Sequence, residues 1–334
     1  MAISVIKPGL LDSLQDSGRF GFSNWGINPG GSMDRFAGSM ANLLVGNNEN
    51  AAVLEIHFPG PQLLFEQNAL IALTGADFSP MLNDELVPMW QPIVVRKNTL
   101  LHFPKLNRGA RCYLSVHGGF CSDTWLNSHS THLKAGVGGF HGQALKKGDE
   151  LQVGNSSVYF AGMLPEEKTF RALPWRANVE MIYRFPHEIL ILEGHEWDLL
   201  TTASRHNLLE NNFMVHPSSD RMGYTIKGSR LDLKNNTELV STGVDFGTLQ
   251  LLPGGELIIL MADHQTTGGY PRIGHVISAH LPKLAQLRPS DCIKFTLTDI
   301  EHAEELLLAQ AKEIQILQHA CKERLNEQVC KVSI

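Results

Sequence analysis

Apolar residues in this chain come in short runs. Between about residue 50 and residue 160 the segments AAVLEIHF, QLLF, ALIALTG, PIVVR, TLLHF, ARCYLSVHGGF, DELQV and SSVYFAG follow one another, separated by Gly, Pro, Asn and Asp. Runs of this length between turn residues predict β-strands of a barrel or sandwich. One helix interrupts them early. Over Met33–Val45, Phe36, Met40, Leu43 and Leu44 fall on one face at helical spacing, and Gly46-Asn47 supply the stop. The stretch PEEKTFRALPWRAN (165–178) carries two prolines and mixed charge and marks a boundary. Beyond it strand patterns resume at EILILEG and continue through TLQLL, ELIILMA, HVISA and CIKFTL, with a shorter polar helix in WDLLTTASRHNLLE. This half also predicts a closed or nearly closed β-structure. The C-terminal segment changes period: Thr298 followed by Glu301 has the form of a capping box ahead of one long helix. On that helix Ile300, Ala303, Leu307, Ile314 and Leu317 recur at three- and four-residue steps, an apolar stripe expected to pack on its own chain. The expected layout is mainly β: an N-terminal β domain with an early helix (1–165), a second β domain (180–297) and a C-terminal helix (298–334).

Composition narrows the function classes. With 334 residues and 43% hydrophobic content, the chain can bury one large core or two smaller ones. Its formal net charge of -6 offers no positive field for a nucleic-acid backbone or an anionic membrane surface. MAISVIKPGLLDS does not read as a secretory signal, and no segment has the apolar length of a membrane span. Cys112, Cys121, Cys292, Cys321 and Cys330 are scattered without a C-x-x-C pair, which suggests neither a disulfide framework nor a zinc site and fits a reducing cytoplasm.

Hydrolase-elbow, phosphate-loop, dinucleotide and zincin motifs are all absent. Candidate chemistry instead lies in glycine-bounded polar clusters at strand ends. QDSGRFG (15–21) and NPGGSMD (28–34) bring Gln15, Asp16, Arg19 and Asp34 beside glycines that allow close backbone approach, or else an Asp16–Arg19 ion pair pins two loops. LTGAD presents Asp77 at a strand end, as a base, a cation ligand or a turn cap. NSHSTH (127–132), beside GVGGFHG, offers Ser128, Ser130 and Thr131 to an anion; His129 and His132 lack a third ligand for a metal. SSDRMGY (218–224) contributes Asp220 and Arg221. ADHQTTGGYPRIG (262–274) is the most specific cluster, with hydrogen-bonding Gln265, Thr266 and Thr267, backbone amides at Gly268 and Gly269, and Tyr270-Pro271 at the exit.

Taken in order, QDSGRFGF, GGSMD, ANLLVGN, LTGAD, YLSVHGGF, NSHST, GGFHG, LKKGD, SSDRMGY, ADHQTTGGYP and ISAHLPKLAQLRPSD closely resemble the KipA family, also called allophanate hydrolase subunit 2 or the 5-oxoprolinase C subunit. The resemblance runs from residue 3 to about residue 297 and leaves out the C-terminal helix. It implies two cyclophilin-like β-barrel domains, a KipI-like 5-oxoprolinase B subunit and a LamB/YcsF-like A subunit as partners, and ATP-dependent opening of 5-oxoproline, a small lactam, to glutamate. ATP would act with the partner subunits, and no metal or biotin is expected on this chain. In that scheme Asp16, Arg19, Asp77, Arg221 and Thr267 are the expected catalytic residues. Gln15, Asp34, Ser130, Thr131, Asp220, Gln265, Thr266, Gly268, Gly269 and Tyr270 are the expected substrate contacts, with the QDSGR, SDRMGY and QTTGGYP loops converging on one cleft. The resemblance also extends to carboxyl transfer in biotin-dependent urea carboxylase and to a non-catalytic regulator that binds a KipI-like kinase inhibitor. Three positions depart from the family pattern: His129 where arginine is common, Thr242 where glutamate is common, and His280 where aspartate is common.

Overall fold

A computed structural model describes residues 2–154, 162–165, 167–184, 187–235 and 239–332. The strand expected at SSVYFAG lies almost wholly outside these residues. The chain forms two compact units, one of Met1–Gly18, Asp34–Val179 and Lys312–Ile334, the other of Arg19–Met33 and Glu180–Ala311. The units therefore do not follow chain order: residues 19–33 leave the first half and join the second, and the C-terminal helix is shared.

In the first unit the strands are β1 (Ala2–Lys7), β2 (Asp12–Gln15), β3 (Val53–His57), β4 (Gln62–Phe65), β5 (Ala69–Asp77), β6 (Met81–Leu82), β7 (Glu85–Leu86), β8 (Pro92–Val95), β9 (Thr99–His102), β10 (Arg108–Val116), β11 (Glu150–Gln152) and β12 (Phe170–Ala172). They build two six-stranded sheets, ordered β11-β1-β4-β9-β6-β7 and β12-β8-β5-β10-β3-β2. The sheets share one apolar core in which Ile3, Val5, Leu63 and Phe65 of one meet Leu54, Ile56, Ile71 and Leu114 of the other. Each such side chain stabilises the fold by roughly 1.5–3 kcal/mol on burial. Helix α1 (Arg35–Leu44) covers β5 and β10. It starts at Asp34, whose Oδ1 accepts the Ala37 N–H (2.9 Å), and buries the expected Phe36, Met40, Leu43 and Leu44. It stops at Gly46, whose φ of 77° is open to glycine without strain.

In the second unit β13 (Glu188–Glu193), β14 (Phe213–Val215), β15 (Gly223–Lys227), β17 (Thr248–Leu251), β18 (Leu257–Leu260), β20 (Arg272–Val276) and β21 (Cys292–Leu297) close into a barrel ordered β13-β20-β17-β18-β15-β14-β21. Along β17, Leu249 and Leu251 point into the barrel core, while the period of two turns Thr248 and Gln250 to the outer face. A two-stranded ladder of β16 (Thr242–Gly243) and β19 (Thr267–Gly268) pairs Thr242 with Gly268. Gly268 lies directly on Gln250, since a Cβ there would stand 2.4 Å from Gln250 Nε2. Helix α2 (Glu180–Tyr183) precedes the barrel. Helix α3 (Thr202–Glu210) is capped by Thr201, whose hydroxyl accepts the Ser204 N–H, and α4 (Leu281–Ala285) follows β20.

The long helix α5 (Ile300–Val332) begins one residue later than the capping box implies. Thr298 still donates its N–H to Ile191 O as part of the β13–β21 pairing, so Asp299 takes over the cap and accepts the His302 N–H at 2.8 Å. The buried stripe is also rotated from the expected one. Ala303, Gln310, Cys321 and Leu325 are buried, whereas Ile300 and Leu307 are exposed. In its later turns Leu325 fills the space over Gly46, and Arg324 lies above the Trp175 ring. Among the described residues no helix is long and apolar enough to cross a membrane.

Candidate functional site

The second unit gathers the arginines of two of the expected loops. Arg221 sits in the turn entering β15, held there because Asp263 donates its N–H to Arg221 O and Met261 donates to Met222 O. Its guanidinium forks onto Asp263, with Nε to Oδ2 at 2.8 Å and Nη2 to Oδ1 at 3.0 Å, and Nη2 also donates to Gly31 O at 2.7 Å. Planar two-point pairing of this kind fixes geometry as well as charge. Arg19, fully buried, meets the same turn: a Cβ on Gly30 would lie 2.8 Å from Arg19 Nη1 and 3.6 Å from Asp263 Oδ1. Gly30 has a φ of 60°, and its bare backbone is what lets this guanidinium pass. Asn28 closes the turn by donating Nδ2 to His264 O (3.1 Å). Residues 19–31 and the strand end at 263–264 thus form one polar assembly with two guanidinium groups and one carboxylate.

The ADHQTTGGYP loop leaves this assembly in two directions. Gln265 donates Nε2 to Gln250 Oε1 (3.3 Å), Thr266 O accepts the Val244 N–H, and Thr267 stands exposed on β19. Beneath, Thr248 Oγ1 and His275 Nδ1 are 3.3 Å apart; burial holds His275 below its ordinary pKa, with Asp245 opposing and His264 adding. Arg272 clamps this edge. It binds Glu196 through Nε (3.0 Å) and Nη2 (2.8 Å), and reaches Gly243 O with Nη1. Burial would raise Glu196, but the hydrogen bonds and charge of Arg272 outweigh it and hold the carboxyl below its usual range. Gly269 and Tyr270 instead line a groove of about 580 Å³, walled by Leu231, Leu233 and Leu251, with Arg230 and Asp232 at its polar side. That volume is in the range of small-molecule sites.

Asp220 accepts the N–H groups of Met222 (2.7 Å) and Gly223 (3.3 Å) and so shapes the turn that carries Arg221. Two residues outside the expected set, Asp263 and Gln250, complete the site. The carboxylate within ADHQ and a glutamine inside the apolar run TLQLL were the available signals.

In the first unit, Asp16 accepts from the hydroxyls of Ser128 (2.8 Å) and Ser130 and from the N–H groups of His129 (2.6 Å) and Gly18 (2.8 Å). Its carboxylate organises the NSHST loop. Gln15 donates to Ser13 Oγ and Thr131 O, and Thr131 donates its hydroxyl to Leu14 O. His129 Nδ1 lies 2.9 Å from Ser122 Oγ. Asp34 is occupied as the cap of α1, and its N–H donates to Tyr113 Oη, which donates to Glu55. Asp77 accepts from Ser79 N–H and Asn107 Nδ2, the turn-capping alternative for that residue. Among the described residues no three His, Cys, Asp or Glu side chains gather as a metal site requires.

A family model described as "Carboxyltransferase domain, subdomain A and B" matches residues 25–297. The 5-oxoprolinase C subunit of Haemophilus influenzae is 36% identical over 298 residues, 88% of this chain and 90% of that protein. The corresponding C subunit of Escherichia coli 5-oxoprolinase is 35% identical over 301 residues, 90% of this chain and 93% of that protein. The crystal structure of the K. lactis urea amidolyase matches with a TM-score of 0.85 at 28% identity, covering 95% of this chain; the chain spans only 20% of that much longer protein.

Proposed function

The chain belongs to the family of carboxyltransferase domains with subdomains A and B, and from that premise we propose that it is the C subunit of a heteromeric, ATP-dependent 5-oxoprolinase. Its partners in this reading are a KipI-like B subunit and a LamB/YcsF-like A subunit, in the cytoplasm. The observation that carries the reading is end-to-end correspondence: two 5-oxoprolinase C subunits match it over 90% and 93% of their own length.

The chemistry required is activation of a resonance-stabilised lactam. Coupling to ATP supplies it by phosphorylating the lactam oxygen, which turns the carbonyl carbon into an electrophile that water can attack. The nucleotide is assigned to the complex and to no residue of this chain. Donors fixed before the reaction and aimed at a developing oxyanion contribute most to such catalysis. Here Thr267 and the amides of Gly268 and Gly269 are the candidates, held in register by the β16–β19 ladder and the Gln250–Gln265 contact. Arg221 is neutralised by Asp263, so its part is to hold the Gly30–Gly31 turn and Arg19 in place.

A second reading, carboxyl transfer to urea or a similar amide, is favoured by the family model and by the urea amidolyase match. The complex reconstituted with both partners separates the two. ADP release stimulated by 5-oxoproline and not by urea supports the first; urea-dependent turnover that requires a biotin carrier replaces it with the second.

A further inference from the structure

Away from that site, and independent of the proposed activity, His280 and Lys283 face each other inside the second unit. Both are buried, at 8% and 7% exposure. His280 Nδ1 lies 3.0 Å from the backbone nitrogen of Leu190, and His280 Nε2 lies 3.0 Å from Lys283 Nζ. A backbone N–H can only donate, so Nδ1 accepts, and a neutral imidazole with Nδ1 accepting carries its proton on Nε2. The 3.0 Å contact then runs from Nε2–H to Nζ, and Nζ can accept only if it holds a lone pair. An ammonium has none. The surroundings agree: Ile277, Ala279 and Ala303 pack here with Leu190, Leu192 and Leu306. Burial pushes His280 down to about 3, with His302 adding, and burial likewise lowers Lys283 against the opposing carboxylate of Glu188.

We infer that Lys283 is held as an uncharged amine and is a site of carbamate formation with carbon dioxide. An ordinary lysine, with a pKa near 10.4, is unprotonated in only about one molecule in 2,500 at neutral pH. Carbon dioxide is small and uncharged, so it enters an apolar setting that rejects anionic reagents, which Glu188 would also repel. The Nζ lone pair forms the N–C bond, one C=O π pair moves onto oxygen, and one amine proton leaves to solvent. The product is R–NH–COO⁻ plus H⁺. The carbamate oxygen accepts the Nε2–H of His280 that the amine accepts beforehand.

The test uses the full chain and two probes. Carbon-13 bicarbonate followed by alkylation with triethyloxonium traps carbamates as stable esters, read by mass spectrometry of the Lys283 peptide. Cyanate delivers isocyanic acid, a neutral analogue of carbon dioxide with the same electron count. The expected results are a labelled ester on Lys283 and carbamoylation of Lys283 about tenfold or more faster than of exposed Lys134 and Lys147. At a fixed cyanate concentration the Lys283 rate should fall about tenfold per pH unit, following the isocyanic acid that remains, where the rates of Lys134 and Lys147 stay level because their free-amine fraction rises as isocyanic acid declines. His280→Asp supplies a carboxylate partner that restores the ammonium, and should abolish both signals. Absence of the ester, Lys283 reacting no faster than the exposed lysines, or unchanged reactivity in H280D overturns the inference. The wild-type rate profile decides the matter even if H280D fails to fold.

Discussion

Arg221 and Asp263 meet through two parallel hydrogen bonds at 2.8 and 3.0 Å, and the same guanidinium reaches back to Gly31 O at 2.7 Å. One side chain therefore ties the entry of β15, the exit of β18 and the glycine turn at 30–31 into a single support for Arg19. Removing it leaves Asp263 with a half-buried, unpaired charge and the turn without its anchor.

Arg221→Ala should accordingly destabilise the chain by about 1–3 kcal/mol in urea denaturation, because the half-buried Asp263 carboxylate loses both of its charge-assisted hydrogen bonds. Arg221→Lys keeps the charge and loses the fork, and should recover less than half of that. A double-mutant cycle with Asp263→Asn should give a coupling above about 1.5 kcal/mol; additivity would show that the two side chains act independently.

The ladder over Gln250 makes a sharper test of the site. A Cβ at Gly268 would stand 2.4 Å from Gln250 Nε2, so Gly268→Ala must lift β19 or displace the glutamine. The expected outcome is at least about a tenfold loss in kcat/KM of the assembled complex, or ~1.4 kcal/mol. Truncating Gln250 to alanine in the same chain should restore part of it. Full activity of G268A alone would remove this loop from the catalytic account.

Much of this architecture was legible in the sequence. The shortness of runs such as QLLF and ELIILMA between turn residues, and the helical spacing of Phe36, Met40, Leu43 and Leu44, report local geometry. The rest depended on distant partners. Nothing local tells residues 19–33 to join the second unit, since that choice is made by Arg221, His264 and Asp263 far along the chain. Thr298 has the right residue type for a cap, but Ile191 holds its N–H in the strand pairing. Asp16 and Asp34 look like site carboxylates in one dimension. In three dimensions, the NSHST hydroxyls and the first turn of α1 occupy them.

Asp12 sets a pH dependence of one sign. Burial raises its carboxyl to about 7, opposed by the backbone amides of Gly9 and His57. A raised folded-state pKa contributes stability that is complete below the unfolded value near 3.9 and is lost as pH rises through about 7. The wild-type chain should therefore lose up to about 4 kcal/mol relative to Asp12→Asn between about pH 4 and about pH 8. Denaturation of both proteins across that range checks it, and parallel curves would contradict it.

Glu196 sets the opposite sign. Its carboxyl is depressed in the folded state because Arg272 outweighs burial, so its contribution is present above the unfolded value near 4.3 and is lost as pH falls through the folded one. Glu196→Gln should cost about 1.5–3 kcal/mol at neutral pH. The gap between variant and wild type should close in acid, as thermal melts at both pH values would show.

The central claim is that this chain acts as one component of an ATP-dependent lactam-opening complex. Its most direct test is ADP and glutamate release from 5-oxoproline by the three reconstituted subunits, with each one omitted in turn. Turnover that requires all three, negligible activity of this chain alone and loss of activity in Thr267→Ala with assembly intact are the predicted results. Full turnover without this chain, or robust turnover by this chain alone, would contradict the account.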